Sequence, residues 1–124
     1  MGATVRSLLP EFPIVEARYS GHVSKQDVDD SFGACAALAI EQKQWNVLGD
    51  CTDLVWTPTV TDLFELVQFL TDIGVSERFR EALVRPTDPI AAASVGFWET
   101  AGVNRGLNIR TFPDRESAIA WLTS

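Results

Sequence analysis

Asp50, Cys51, Thr52 and Asp53 follow one another without a break, which sets a thiol between carboxylates and beside a hydroxyl. Such a thiol becomes a nucleophile if a nearby helix start stabilises its thiolate. Asp50 and Asp53 could act as an acid pair in proton transfer. Both acids, however, oppose ionisation of the thiol, and no histidine or third acid joins them from neighbouring sequence. Acids in turns also bond local backbone amides. The run therefore reads first as an inert thiol flanked by structural acids, and an enzyme built on Cys51 lacks its matched base.

Thr57, Thr59 and Thr61 form a second group. A phosphate on any of them would be favoured electrostatically at a helix amino end, and helix capping already accounts for at least one. The single histidine, His22, lies in a glycine turn with no acid beside it, so it reads as an exposed side chain. One imidazole and two cysteines, Cys35 and Cys51, match no zinc-ligand spacing. No metal and no cofactor are expected. Among the aromatic residues, Trp56 and Trp98 suit an exposed contact or a pocket wall, together with Phe64 and Phe97. Trp121 reads as core.

These groups need elements to hold them. Residues 45–53 form an apolar run ending in small polar residues and acids, which reads as the central strand of an α/β sheet whose crevice lies where strand ends meet helix starts. Before it, residues 4–9 and 14–19 alternate loosely and are split by Pro10-Glu11-Phe12-Pro13, which predicts two antiparallel strands. The segment 20–23 turns the chain into a helix capped by Ser24, with Asp27 three residues on. Val28, Phe32, Cys35, Ala36 and Ala39 make its apolar stripe. A second helix starts at Thr57-Pro58-Thr59, with Asp62 three residues after Thr59; Leu63, Leu66, Val67, Leu70 and Ile73 face the core, and Gly74 stops it. Ala82-Leu83-Val84 is a third core strand. Asp88-Pro89 opens a third helix that turns Ile90, Ala93, Phe97 and Ala101 inward and ends at Gly102. Residues 107–112 give the last strand, followed by a short helix offering Ile119, Trp121 and Leu122.

Composition bounds the function. With 124 residues, 46% hydrophobic and 22% charged, the chain fits one folded domain over 1–124. A net charge of −7 opposes binding to nucleic acid or to an anionic membrane surface. No apolar run approaches the roughly 18 residues that span a bilayer, and residues 1–10 lack the apolar core of a signal peptide. A cytoplasmic location with reduced thiols is expected.

Three stretches, Ser20-Gly21-His22-Val23-Ser24, Val47-Leu48-Gly49-Asp50 and the closing segment from Phe112-Pro113-Asp114 to Trp121-Leu122, join the cadence ββαβαβαβα in one pattern. That pattern resembles the STAS fold of bacterial anti-sigma factor antagonists, and in particular the SpoIIAA-like family of small standalone proteins. The resemblance implies a two-layer α/β fold with a mixed, mostly parallel sheet of about five strands and four helices. It also implies a non-enzymatic domain acting through regulatory protein–protein contacts around Asp53, Thr57, Thr59 and Asp62, compatible with a homodimer. Phosphorylated members carry a serine in an Asp-Ser-Ser-Gly-like motif after the central strand; here that segment reads Thr57-Pro58-Thr59-Val60-Thr61-Asp62, and the motif is absent. The fold's similarity to CRAL-TRIO lipid-transfer domains implies an alternative, a binder of a small apolar or lipid-like ligand lined by Trp56, Phe64, Phe97 or Trp98.

Overall fold

A computed structural model of the chain describes residues 2–56, 59–72 and 78–124. The elements run β1 (Ala3–Ser7), β2 (Val15–His22), α1 (Lys25–Gln42), β3 (Asn46–Trp56), α2 (Val60–Asp72), β4 (Arg80–Val84), α3 (Pro89–Asn104), β5 (Ile109–Phe112) and α4 (Arg115–Leu122). The five strands form one sheet in the order β1-β2-β3-β4-β5, with β1 antiparallel to β2 and every later pair parallel. Four helices and a mixed sheet with β3 at its centre match the expected architecture.

Each described helix start is set by a side chain visible in the sequence. Ser24 and Asp27 close a reciprocal capping box at 3.1 and 3.0 Å, and Thr59 with Asp62 repeats it at 3.2 Å both ways. Asp88 accepts from the Ala91 amide at 2.9 Å ahead of Pro89 in the first turn, and Asp114 accepts from the Ser117 amide at 2.8 Å. Such caps satisfy amides that the helix itself leaves unbonded.

Alternation along the strands divides the core in two. Val47, Cys51 and Leu83 face a large cluster that also holds Val28 of α1, Leu63, Leu66, Val67 and Leu70 of α2, and Ala91, Val95, Trp98 and Ala101 of α3. Leu48, Ala82 and Val84 face the opposite way, onto Ala118 and Leu122 of α4 with Ile14. The main sheet-and-helix pair of layers is thus joined by a thin third layer. An apolar back face on the central strands would otherwise be left in water, and α4 covers it.

Several boundaries differ from the sequence reading. β2 runs on through His22, so residues 20–22 are a strand end instead of a helix turn; Gly21 takes φ +65° and the register slips beside it, a bulge that glycine admits without strain. β3 likewise continues to Trp56. In α3 the inward stripe is Ala91, Val95, Trp98, Ala101 and Gly102, while Ile90 is 77% exposed. The stretch is apolar on nearly every side, so its periodicity carries little phase information. Gly102 does not end the helix. It sits inside it because a β-carbon there would lie 2.3 Å from Ile109 Cδ1. Thr57, Pro58, Ile73 and Gly74 lie outside the described residues, as does the Trp56 side chain.

The two glycines of α3 therefore respond oppositely to the same change. A β-carbon at Gly96 meets nothing within 4 Å, and Gly96→Ala is expected to raise stability by about 0.5–1 kcal/mol through helix propensity. Gly102→Ala is expected to lower it by about 1 kcal/mol, because over-packing costs of about 1–3 kcal/mol exceed the same propensity gain. Urea midpoints of both variants check the pair; stabilisation by both would remove the proposed close contact between α3 and β5.

Candidate functional site

The run 50–53 does not act as a unit. Because β3 continues past it, neighbouring side chains leave the sheet on opposite faces. Asp50 points to the back, where its Oδ1 accepts from the Thr52 amide at 3.1 Å and from the Thr52 hydroxyl at 2.6 Å. Cys51 points into the front core and is buried. Asp53 is exposed and lies 3.8 Å from Arg18. The two acids share no site.

On the back face Asp50 belongs to a charge cluster. Glu16, 1% exposed, is held by Arg6 Nε at 2.7 Å and by Arg115 Nη1 at hydrogen-bonding contact, and Arg115 also lies 3.7 Å from Asp50 Oδ2. This cluster ties the first residue of α4 to β1, β2 and β3. The cluster thus sets two arginines against two carboxylates.

The front face carries something else. Between the sheet and α1, α2 and α3 lie two cavities of about 70 and 210 Å³ that share Tyr19, Phe32 and Glu81 as walls. The smaller reaches Cys51, Leu63 and Trp98. The larger runs along α1 past Cys35, Ala36 and Ala39 to Ile40 and Phe69, which are 65% and 49% exposed and so mark its mouth.

Glu81 stands in this apolar wall. It precedes Ala82, Leu83 and Val84 in β4, with Arg80 turned to the back onto the Trp121 ring and carbonyl. The indole Nε1 of Trp98 donates to Glu81 Oε1 at 2.9 Å, and Phe32 packs edge-on against that indole with ring centres 5.5 Å apart. Burial pushes the Glu81 carboxyl up to about 7, against the opposing effect of the indole bond. Burial also raises Tyr19 well above the usual phenol range, Cys35 to about 12, and Cys51 further still. Both thiols are therefore protonated at neutral pH.

Of the aromatic residues singled out from sequence, Trp98 lines the smaller cavity. Phe64 and Phe97 line neither; they pack edge-on against each other, ring centres 5.3 Å apart, across the outer side of α2 and α3. The Thr59 hydroxyl and Asp62 are engaged in the α2 cap, and Thr61 is exposed. His22 is exposed as well. Among the described residues no cluster of three or more histidine, cysteine or acidic side chains could hold a metal, and no helix is long and apolar enough to cross a membrane.

Sequence reading missed Glu81 and Glu16. A strand covered on both faces should read as an unbroken apolar run, and an acid directly before Ala82-Leu83-Val84 was the available signal.

No protein-family model matches the sequence, and no curated protein matches it. Among solved structures, the chain is similar to an uncharacterised protein of the DUF3478 family from Shewanella loihica PV-4, described as having a SpoIIAA-like fold. The match has a TM-score of 0.61 over 97% of this chain and 91% of that one, at 15% identity. The fold is SpoIIAA-like.

Proposed function

We propose that the domain binds a small, mostly apolar molecule in the cavity between β2–β4 and helices α1 and α2, and that it does so without catalysis. One observation carries the reading: a cavity of about 210 Å³ enters the apolar core between the sheet and α1, and exposed Ile40 and Phe69 stand at its mouth. Protein interiors are packed with few voids larger than a water molecule, and small-molecule sites are concave and apolar with few polar groups. A non-catalytic role is supported by the protonated thiols of Cys35 and Cys51 and by the separation of Asp50 from Asp53.

Calorimetric titration with octan-1-ol tests the reading. Saturable one-to-one binding is expected in the native protein, and at least tenfold weaker binding in Ala36→Phe, whose ring would fill the α1 side of the cavity. No saturable binding, or equal binding by the variant, would overturn it. Native mass spectrometry of freshly purified protein gives a second readout, since a retained ligand adds mass that denaturation removes.

A further inference from the structure

We infer that the ligand is an amine with an aliphatic or aryl body, whose protonated nitrogen is held by the free oxygen of Glu81 while the body fills the larger cavity. The inference rests on the cavity being a binding site, and it comes from what the cavity wall offers and what it lacks.

Glu81 is 8% exposed, and its Oε1 is taken by Trp98. Its Oε2 has no hydrogen-bond partner among the described residues, yet every sealed-off polar side-chain atom among them has one. Oε2 is therefore not sealed off, and Glu81 lines both cavities. Tyr19 adds a second acceptor. The Ser31 hydroxyl spends its proton on the Val28 carbonyl at 2.9 Å, so the Tyr19 hydroxyl, 2.8 Å from Ser31 Oγ, donates to it. The phenolic oxygen keeps its accepting lone pairs. Ser94, the remaining hydroxyl on the wall, accepts as readily as it donates.

No cation answers these acceptors. Around Glu81, β2 presents Tyr19, β3 presents Cys51, α1 presents Cys35 and α3 presents Trp98 and Ser94, while α2 adds only apolar side chains. Neither cavity is lined by a lysine, arginine, histidine or aspartate among the described residues. A buried charge without a partner is costly, and the partner that satisfies a carboxylate with a free oxygen is a charged donor. An ammonium group meets that need and brings an apolar body into the space along α1. A carboxylate ligand would set like charges together, and an alcohol would donate one hydrogen bond but leave the charge without a counterion.

Matched eight-carbon probes separate these chemistries. Octylamine, octan-1-ol and octanoate are titrated calorimetrically into the protein at pH 8 and pH 5.5, and into Glu81→Gln and Ala36→Phe. At pH 8 octylamine is expected to bind at least tenfold tighter than octan-1-ol, and this advantage should shrink at pH 5.5 as Glu81 takes a proton. Glu81→Gln should lose the advantage while retaining octan-1-ol binding, which also shows that the variant is folded. Equal binding of amine and alcohol, preference for octanoate, or an amine preference that survives Glu81→Gln would each overturn the amine assignment and leave the cavity as a binding site. Failure of octan-1-ol to bind the native protein, or indifference of its binding to Ala36→Phe, would overturn both.

Discussion

Glu81→Gln is expected to make the protein more stable than the native chain at pH 8, by a margin about 3 kcal/mol larger than at pH 4.5. The carboxyl has an ordinary value of 4.5 and a folded-state value of about 7. Between these two values the native protein holds a proton that the unfolded chain has released. Its contribution is therefore full below about pH 4.5 and is lost as pH rises through about 7. At about 1.36 kcal/mol per pH unit the loss comes to about 3 kcal/mol, and the group is buried enough that solvent screening does not discount it. Glutamine keeps an oxygen for the Trp98 indole and has nothing to ionise. All other titrations are common to both proteins, so the difference between their denaturant midpoints isolates Glu81. A difference that stays flat from pH 4.5 to pH 8 would show that Glu81 ionises as a solvated acid, and the cavity would then lack its distinctive group.

This cost bears on function. A domain of this size has about 5–15 kcal/mol of stability in all, so an ionised Glu81 without a counterion removes a large share of it. A residue that weakens the fold is informative where a ligand repays the loss. Binding to the native state alone stabilises by mass action, so octylamine at pH 8 is expected to raise the midpoint of the native chain more than that of Glu81→Gln. Asp53 and Asp62, which drew notice in the sequence, have no such leverage because solvent and local partners already satisfy them.

What the sequence made legible depended on whether a single side chain decides the local structure. The starts set by Ser24, Thr59 and Asp88 were readable because each is fixed by one cap a few atoms away. The α2 stripe was readable too, since Leu63, Leu66, Val67 and Leu70 recur at helical spacing and are all buried. Strand ends were less so. Nothing local stops β2 before His22 or β3 before Trp56, because both extensions are held by pairing with each other. The candidate cluster at 50–53 came apart for the same reason: once the strand continues, alternation sends Asp50 and Cys51 to opposite faces. Glu16 and Glu81 stayed hidden because their roles depend on residues up to 99 positions away, Arg115 in one case and Trp98 in the other.

Arg115→Ala is expected to destabilise the protein by about 2–3 kcal/mol, well beyond the cost of a surface ion pair. Arg115 is 37% exposed at its side chain, but the acids it serves are 1% and 7% exposed. Truncation leaves Glu16 with Arg6 alone, and Asp50 with only the Thr52 amide and hydroxyl. Loss of one partner from a buried pair costs about 3–5 kcal/mol; the cost is lower here because Arg6 remains. Removing the acid should cost less, since Arg6 and Arg115 both reach solvent once Glu16→Leu frees them. The asymmetry is the test. In a double-mutant cycle, Arg115→Ala in the Glu16→Leu background should cost clearly less than in the native chain. Because α4 covers the apolar back face through Ala118 and Leu122, the single variant should also lose protection of Leu48 and Ala82 amides from hydrogen exchange before global unfolding. A loss below about 0.5 kcal/mol, or additivity across the cycle, would reduce the cluster to surface charge and leave apolar docking of α4 as the sole tie on that face.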